Sequence, residues 1–314
     1  MAFADLHCDT ISKVLNARLA GEDCALRDGA GLHSSLKNLR AGGCVLQNFA
    51  LFVDLSETSD PWGRVLHLAE VLASELERNA DLARPVLSFA DMERAREEGK
   101  LAAVLTVEEG GVCGGDLRRL RTLHRLGARM MTLTWNYENE LAAPNGRPGG
   151  LTGTGVAFLE EMERLGVIPD VSHLGDDGFW EVCRRAKRPF VASHSSARTL
   201  CPHRRNLTDE MLRAIGDRGG LAGVNFYAPF LGESPVTRTE DVVRHLRHMA
   251  DRAGIDAVAL GSDLDGIDCA LEIGDAAGMG QLETALRRGG FSERETEKIL
   301  WKNVWDFYRE NLRP

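Results

Sequence analysis

The sequence predicts an α/β fold, a (β/α)8 TIM barrel with extra C-terminal helices. Three observations carry this. Short apolar runs rich in Val, Leu, Ile and Ala recur along the chain, longer stretches of helical periodicity lie between them, and eight such runs fit within about 260 residues. A doubly wound sheet with a second domain is the competing architecture at 314 residues. No linker, repeat or low-complexity segment divides the chain, so a single domain over 1–314 is expected.

In chain order the predicted strands are Ala2 to Cys8, Cys44 to Phe52, Leu101 to Val107, Arg129 to Thr134, Val167 to Val171, Phe190 to Ser193, Leu221 to Asn225 and Ala257 to Gly261. Each is too short and too continuously apolar to be a surface helix, as expected of parallel strands buried on both faces. The amphipathic stretches between them are Pro61 to Asn79, Asp116 to Leu126, Gly155 to Leu165, Asp176 to Lys187, Thr208 to Asp217 and Thr239 to Ala253. Three closing helices follow, Met279 to Arg288, Glu293 to Leu300 and Lys302 to Asn311; Ser292 with Glu295 forms a capping-box signature before the second.

Composition narrows the function. Apolar residues at 43% and charged residues at 27% describe a chain folded from end to end. A formal net charge of −9 argues against nucleic acid, which requires clustered Lys and Arg; Arg118, Arg119 and Arg121 read as a solvated helix face. The seven cysteines are odd in number and never form Cys-x-x-Cys, so neither a disulfide framework nor a thiolate metal site is indicated. With no signal-like or membrane-spanning stretch, a cytoplasmic location is expected.

In a barrel enzyme the reactive groups gather where strands end and βα loops begin. The first strand ends in His7-Cys8-Asp9, and alternation in extended chain lets His7 and Asp9 reach one point while Cys8 turns away. The third strand ends in Glu108-Glu109-Gly110, the fifth in Asp170-Val171-Ser172-His173, the sixth in Ser193-His194-Ser195-Ser196 and the eighth in Ser262-Asp263-Leu264-Asp265. Taken singly, the first and third strand ends read as a satisfied histidine beside a solvated acid and as an exposed acidic turn, whereas two histidines ending successive strands favour the ligand reading. Jointly, His7, Asp9, Glu108, His173, His194 and Asp263 put nitrogen and oxygen ligands on five strand ends at one level. That set suits zinc or another first-row divalent ion, and its size suits two ions, with Asp263 placed for proton transfer.

These residues resemble the membrane dipeptidase (renal dipeptidase) family, peptidase family M19. The resemblance runs over nearly the whole chain through Asp5-Leu6-His7-Cys8-Asp9, Val107-Glu108-Glu109-Gly110, Met131-Thr132-Leu133-Thr134, Asp170-Val171-Ser172-His173, Ser193-His194-Ser195-Ser196-Ala197, Arg204-Arg205-Asn206 and Gly261-Ser262-Asp263-Leu264-Asp265-Gly266. It implies a TIM barrel of the metal-dependent amidohydrolase-like kind and a binuclear zinc dipeptidase. His7 and Asp9 would hold one Zn2+, His173 and His194 the other, and Glu108 would bridge them, with Glu109 the alternative that the spacing back from Leu133-Thr134 disfavours. Arg205 would clasp the substrate's C-terminal carboxylate through its planar fork, with Arg204 as the fallback. Mammalian members carry a histidine after the Leu-Thr pair where this chain has Trp135; Trp135, Asn136 and Tyr137 are expected to contact the dipeptide. The family's tendency to dimerise is part of what the resemblance implies.

In the expected mechanism two such ions would supply an activated water, and Asp263 would move its proton to the departing amine. Competing readings are weaker. Another amidohydrolase, acting on a cyclic amide or an N-acyl amino acid, would typically carry His-x-His on the first strand. A metal-free binding scaffold has no reason to keep a competent ligand at every position. Gly149-Gly150-Leu151-Thr152-Gly153-Thr154-Gly155 lacks the order of a nucleotide-binding fingerprint and reads as a loop entering a helix, with Thr154 as its N-cap. Cys8 reads as packing, and His203 as a loop histidine.

Overall fold

The computed structural model describes residues 1–312. Among them, eight parallel strands close into a barrel: β1 (Phe3–Cys8), β2 (Cys44–Phe52), β3 (Leu101–Glu108), β4 (Ala128–Thr132), β5 (Ile168–Asp170), β6 (Val191–Ala192), β7 (Leu221–Val224) and β8 (Val258–Leu260). Each pairs with its neighbours in chain order; β8 pairs back onto β1, and the long β2–β3 ladder runs from Leu46 opposite Ala102 to Phe52 opposite Glu108. A short extra strand, Ala83–Pro85, lies against the first residues of β3 before β4 takes over that edge from Leu105 onward.

Every predicted strand has its counterpart, but six are shorter, five of them at their C-terminal ends. The chain leaves the ladder early at the C-terminal ends because polar side chains take over the backbone donors there. Asp170, for instance, accepts the N–H groups of Ser172 and Ser193 in place of strand partners. Helices Thr10–Leu19, Leu36–Gly42 and Phe89–Glu97 go beyond the predicted set. Ile11, Val14 and Leu15 of the first are buried at helical spacing, and the third starts at a Ser88–Asp91 capping box.

Between β4 and β5 the helix Gly153–Leu165 begins at Thr152, whose hydroxyl accepts the Gly155 N–H at 3.0 Å. The cap is therefore Thr152, not Thr154, because the chain turns into the helix two residues earlier than the apolar pattern suggests. At the C-terminus, Gly280–Arg288 is followed by Glu293–Glu297 and Asn303–Asn311, which run into each other through a π turn at Lys298–Lys302. The Ser292–Glu295 capping box is present.

One apolar cluster fills the space between strands and outer helices. A second gathers Ala4, Leu46, Ala102, Met130, Ile168, Val191, Leu221 and Ala259, one from each strand, against Val304, Trp305 and Tyr308 of the last helix. That packing leaves the C-terminal ends of the strands as the open face.

Candidate metal centre

His7 leaves β1 at its last turn and sits at the middle of a ring of acids. Its Nε2 lies 3.4 Å from an Asp9 oxygen, 3.2 Å from Glu108 Oε2 and 3.8 Å from Asp263 Oδ1. The other Glu108 oxygen, Oε1, lies 3.0 Å from His173 Nε2 and 3.5 Å from His194 Nε2. One carboxylate thus faces two sets of ligands with its two oxygens. The His7 and His194 rings stack at 3.9 Å, and the His173 and His194 rings are 5.0 Å apart. All six strand-end residues converge on this point, and two groups within it, His7–Glu108–His194 and His7–Asp9–Asp263, have ligand-distance geometry for a cation.

The backbone is bent to make this happen. Glu109, His173, Asp263 and Asp265 are the non-glycine residues with positive φ among those described, and all four follow strand ends at this face. Glu109 uses its turn to aim away from the cluster. It accepts from the N–H groups of Gly111 and Trp135 and from Asn139, which ties down the loop after β4, and burial pushes its carboxyl up to about 7. Cys8 is buried on the opposite side, with its thiol against the Asn48 carbonyl.

Charge is concentrated and unbalanced. Burial pulls the His7 imidazolium down, but Glu108 and Asp9 outweigh it and hold it well above its ordinary range. Burial and the nearby Glu108 push Asp9 well up; burial also raises Glu108, but the charge of His7 and the hydrogen bonds of His173, His194 and His7 together outweigh it and hold Glu108 well down. Asp263 is raised, chiefly by burial. Burial, then Arg205, brings His173 down to about 3, and burial with His7 keeps His194 well below its usual range.

A divalent cation fits this donor set. His7 Nε2 and one Asp9 oxygen are buried without a hydrogen-bond partner. His173 Nδ1 faces the Asn136 amide oxygen at 3.0 Å, and His194 Nδ1 faces the Ser193 hydroxyl at 2.7 Å. With their protons on Nδ1, both neutral rings present bare Nε2 lone pairs, 2.9 Å apart and both toward Glu108. In that tautomer the two facing acceptors are a pair that a cation would relieve.

A cavity of about 710 Å³ opens above the cluster. Trp135 forms part of its wall, packed at 4.9 Å from Phe52 and 5.6 Å from Tyr137. Asn136 and Tyr137 lie exposed on the rim, and Asn136 directs its oxygen to His173. Arg205 is buried and donates to Ser195 Oγ at 3.2 Å and the His194 carbonyl at 3.1 Å; its Nε has no partner, and it forms no ion pair among the described residues. Burial brings this guanidinium down to about 10. Arg204 is exposed, and His203 stacks at 4.5 Å on Phe230; both line the cavity.

Sequence reasoning did not single out Phe52, Asn145, Asn225, Tyr227 or Phe230. Asn225 donates to Asp263 Oδ2 at 2.8 Å, and a polar residue ending the seventh apolar run was its available signal. Phe52 ends β2 as one more apolar residue of its run, and Asn145, Tyr227 and Phe230 come from the connections after β4 and β7; none carried a signal.

A barrel whose mouth gathers three histidines and three carboxylates in this way defines a metal-dependent hydrolase. The sequence profile of the membrane dipeptidase family (peptidase family M19) matches residues 1–311, and the chain belongs to that family. It is similar to an uncharacterized protein in the pqqA 5' region of Klebsiella pneumoniae, 38% identical over 80% of this chain and 99% of that one. Among solved structures it resembles the dipeptidase AC, a metallopeptidase of family M19, with a TM-score of 0.94 and 27% identity over 99% of both chains. A metallopeptidase from Rhodobacter sphaeroides, liganded with a phosphinate mimic of the dipeptide L-Ala-D-Ala, superposes with a TM-score of 0.92 at 27% identity, again over 99% of both chains. By family and structure the chain is a metallo-dipeptidase of family M19.

Proposed function

We propose that the protein hydrolyses the amide bond of dipeptides, including those with a C-terminal D-residue, with two zinc ions held by His7, Asp9, Glu108, His173 and His194. The observation that carries the reading is Glu108, whose two oxygens face separate sets of ligands. The Rhodobacter sphaeroides relative, solved with its L-Ala-D-Ala mimic, supports the D-residue. Seven free cysteines support a reducing, cytoplasmic setting.

When bound, such ions supply Lewis acidity and an activated water at neutral pH. The chain's own residues do the rest. Glu108, fixed by contacts to three histidines, keeps the two halves of the ligand set in register. Asp263 faces the cavity with one oxygen held by Asn225, which leaves the other to take up a proton and pass it to the leaving amine. Arg205 meets the substrate carboxylate: a buried guanidinium without a carboxylate partner gains most from one that arrives with the ligand. Trp135, with Phe52 and Tyr137 beside it, excludes water from one side of the bound dipeptide. A clamp on the carboxylate at one end and the ligand cluster on the floor of the cavity fix the distance between them and so select for two residues.

The test is elemental analysis of the purified protein joined to assays of L,L and L,D dipeptides with zinc, cobalt and manganese. Two equivalents of metal per chain and turnover of dipeptides but not tripeptides are expected. Turnover of a cyclic amide or N-acyl amino acid in place of dipeptides would overturn the reading.

A further inference from the structure

We infer that Asp170, acting through Ser193, is a positioning residue that sets the proton of His194 on Nδ1 and so keeps Nε2 bare for a cation. The inference rests on the metal reading above and concerns residues to which that reading gives no part.

The Ser193 hydroxyl sits between His194 Nδ1, at 2.7 Å, and Asp170 Oδ2, at 2.5 Å. All three side chains are buried. Asp170 Oδ1 accepts the backbone N–H groups of Ser172 and Ser193 at 2.9 and 3.0 Å, and Oδ2 also accepts the Thr132 hydroxyl at 3.2 Å. A carboxylate that meets only donors orients them all. The Ser193 hydrogen therefore goes to Asp170, and the serine oxygen is left to accept the Nδ1–H of His194. A neutral imidazole carries one proton, so fixing it on Nδ1 makes Nε2 the ligand atom. That atom faces Glu108 Oε1 and His173 Nε2.

His173 receives the equivalent service by a different means. Its Nδ1 partner is the Asn136 amide oxygen at the exposed rim, which Asn145 holds with its Nδ2 at 3.2 Å. An amide oxygen on a loop orients a ring but brings no charge. The buried relay behind His194 ends in a carboxylate, and it joins β4 through Thr132, β5 through Asp170 and the turn directly after β6 through Ser193.

The geometry makes an isosteric substitution informative. In Asp170→Asn the two backbone N–H groups require the amide oxygen at the Oδ1 place, so the NH2 faces Ser193. It donates into the serine oxygen, the serine hydrogen turns toward His194 Nδ1, and the imidazole proton moves to Nε2. Size and shape are kept while a ligand atom becomes a donor.

The experiment measures zinc affinity of the full-length protein by competition with a chelator, and thermal unfolding of the zinc-free protein alongside it. Asp170→Asn and Ser193→Ala are each expected to weaken zinc binding by about 10- to 100-fold, the range seen when partners behind a metal ligand are removed. Ser193→Thr, which keeps the hydroxyl, is expected to stay close to wild type. A folded Asp170→Asn protein with wild-type zinc affinity overturns the inference, as does a variant whose only change is a lower unfolding temperature without zinc. Should Asp170→Asn fail to fold, the serine pair decides, and equal affinities for Ser193→Ala and Ser193→Thr overturn it. A wild-type protein that binds no zinc overturns the metal reading itself, which differs from a wild type and variants that bind zinc alike.

Discussion

At the N-terminal ends of the strands, the two polar side chains of the closing helix that reach the barrel, Asn303 and Tyr308, are matched to partners. The Tyr308 hydroxyl donates to Asn48 Oδ1 at 2.9 Å, and Asn303 Nδ2 bonds the carbonyls of Ile255 and Val258, each at 2.7 Å. At the C-terminal ends, His7 Nε2, an Asp9 oxygen and Arg205 Nε are buried with no partner, beside four residues held at positive φ. The same eight strands make both ends, so the difference comes from what the loops carry. Backbone strain and unmatched polar groups each cost on the order of 1–3 kcal/mol, and a fold keeps them where a ligand relieves them. One end of this barrel serves stability, the other chemistry.

The sharpest way to break that division is to alter a mouth residue and look for loss of chemistry alone. Asp263→Asn is expected to lower dipeptide turnover by about 10²- to 10⁴-fold, with metal content kept at two equivalents. Near-wild-type turnover with metals bound would remove Asp263 from proton transfer. Next in size is Arg205→Ala, for which KM should rise by roughly 10- to 100-fold, the worth of a charged hydrogen-bonded contact. Unchanged kinetics would refute the carboxylate clamp.

The mouth was legible in sequence to the extent that a strand end is a local event. An apolar run that stops at His7, Glu108, His173, His194 or Asp263 announces both the strand and the group it presents. Asp170 and Ser193 stood in the same motifs, yet nothing local says that the serine bridges the carboxylate to the imidazole. That depends on β5 and β6 meeting at Asp170 and Val191. Asn136 was expected against substrate; its bond to His173 arises because Glu109 draws the loop after β4 back over the cluster. Tyr227 and Phe230 reach the cavity only through the connection after β7, which has no periodicity to read, and Phe52 reaches it from the end of β2, where an apolar residue closing an apolar run announces nothing. The helix cap at Thr152 was missed by two residues for the opposite reason: capping is local, but apolar spacing dates a helix start only to within a turn.

A smaller effect probes how the mouth is supported from outside. His245 lies buried on the helix Thr239–Ala253, where Nδ1 accepts the Ala197 N–H at 3.1 Å and Nε2 donates to the Leu231 carbonyl at 3.0 Å. Burial brings its pKa down to about 4, with Leu231 and Asp241 working the other way and Arg244 and His248 with it. Because the folded value is depressed, the unfolded chain takes up the proton first as pH falls. This group's contribution is therefore complete above pH 6.5 and is lost between about 6.5 and 4, at most roughly 3 kcal/mol. His245→Asn removes that part of the slope. Urea unfolding at pH 7, 5.5 and 4.5 measures it, and a slope equal to the wild type's would show that the imidazole does not titrate there.

The smallest effect belongs to the closed end, and it tests the division from the other side. Tyr308→Phe keeps the ring in its apolar cluster and removes only the hydroxyl that Asn48 Oδ1 accepts. Asn48 Nδ2 stays engaged with the Leu6 carbonyl, so the amide cannot turn to find another donor, and its oxygen is left buried and unsatisfied. That costs about 1–3 kcal/mol, read as a shift of the urea midpoint with unchanged slope. Since the hydroxyl touches no residue of the mouth, kcat and KM of the folded variant should equal those of the wild type. A change in either would mean that strain at the open end is set partly by packing at the closed one, and the two ends would have to be treated as a single coupled structure.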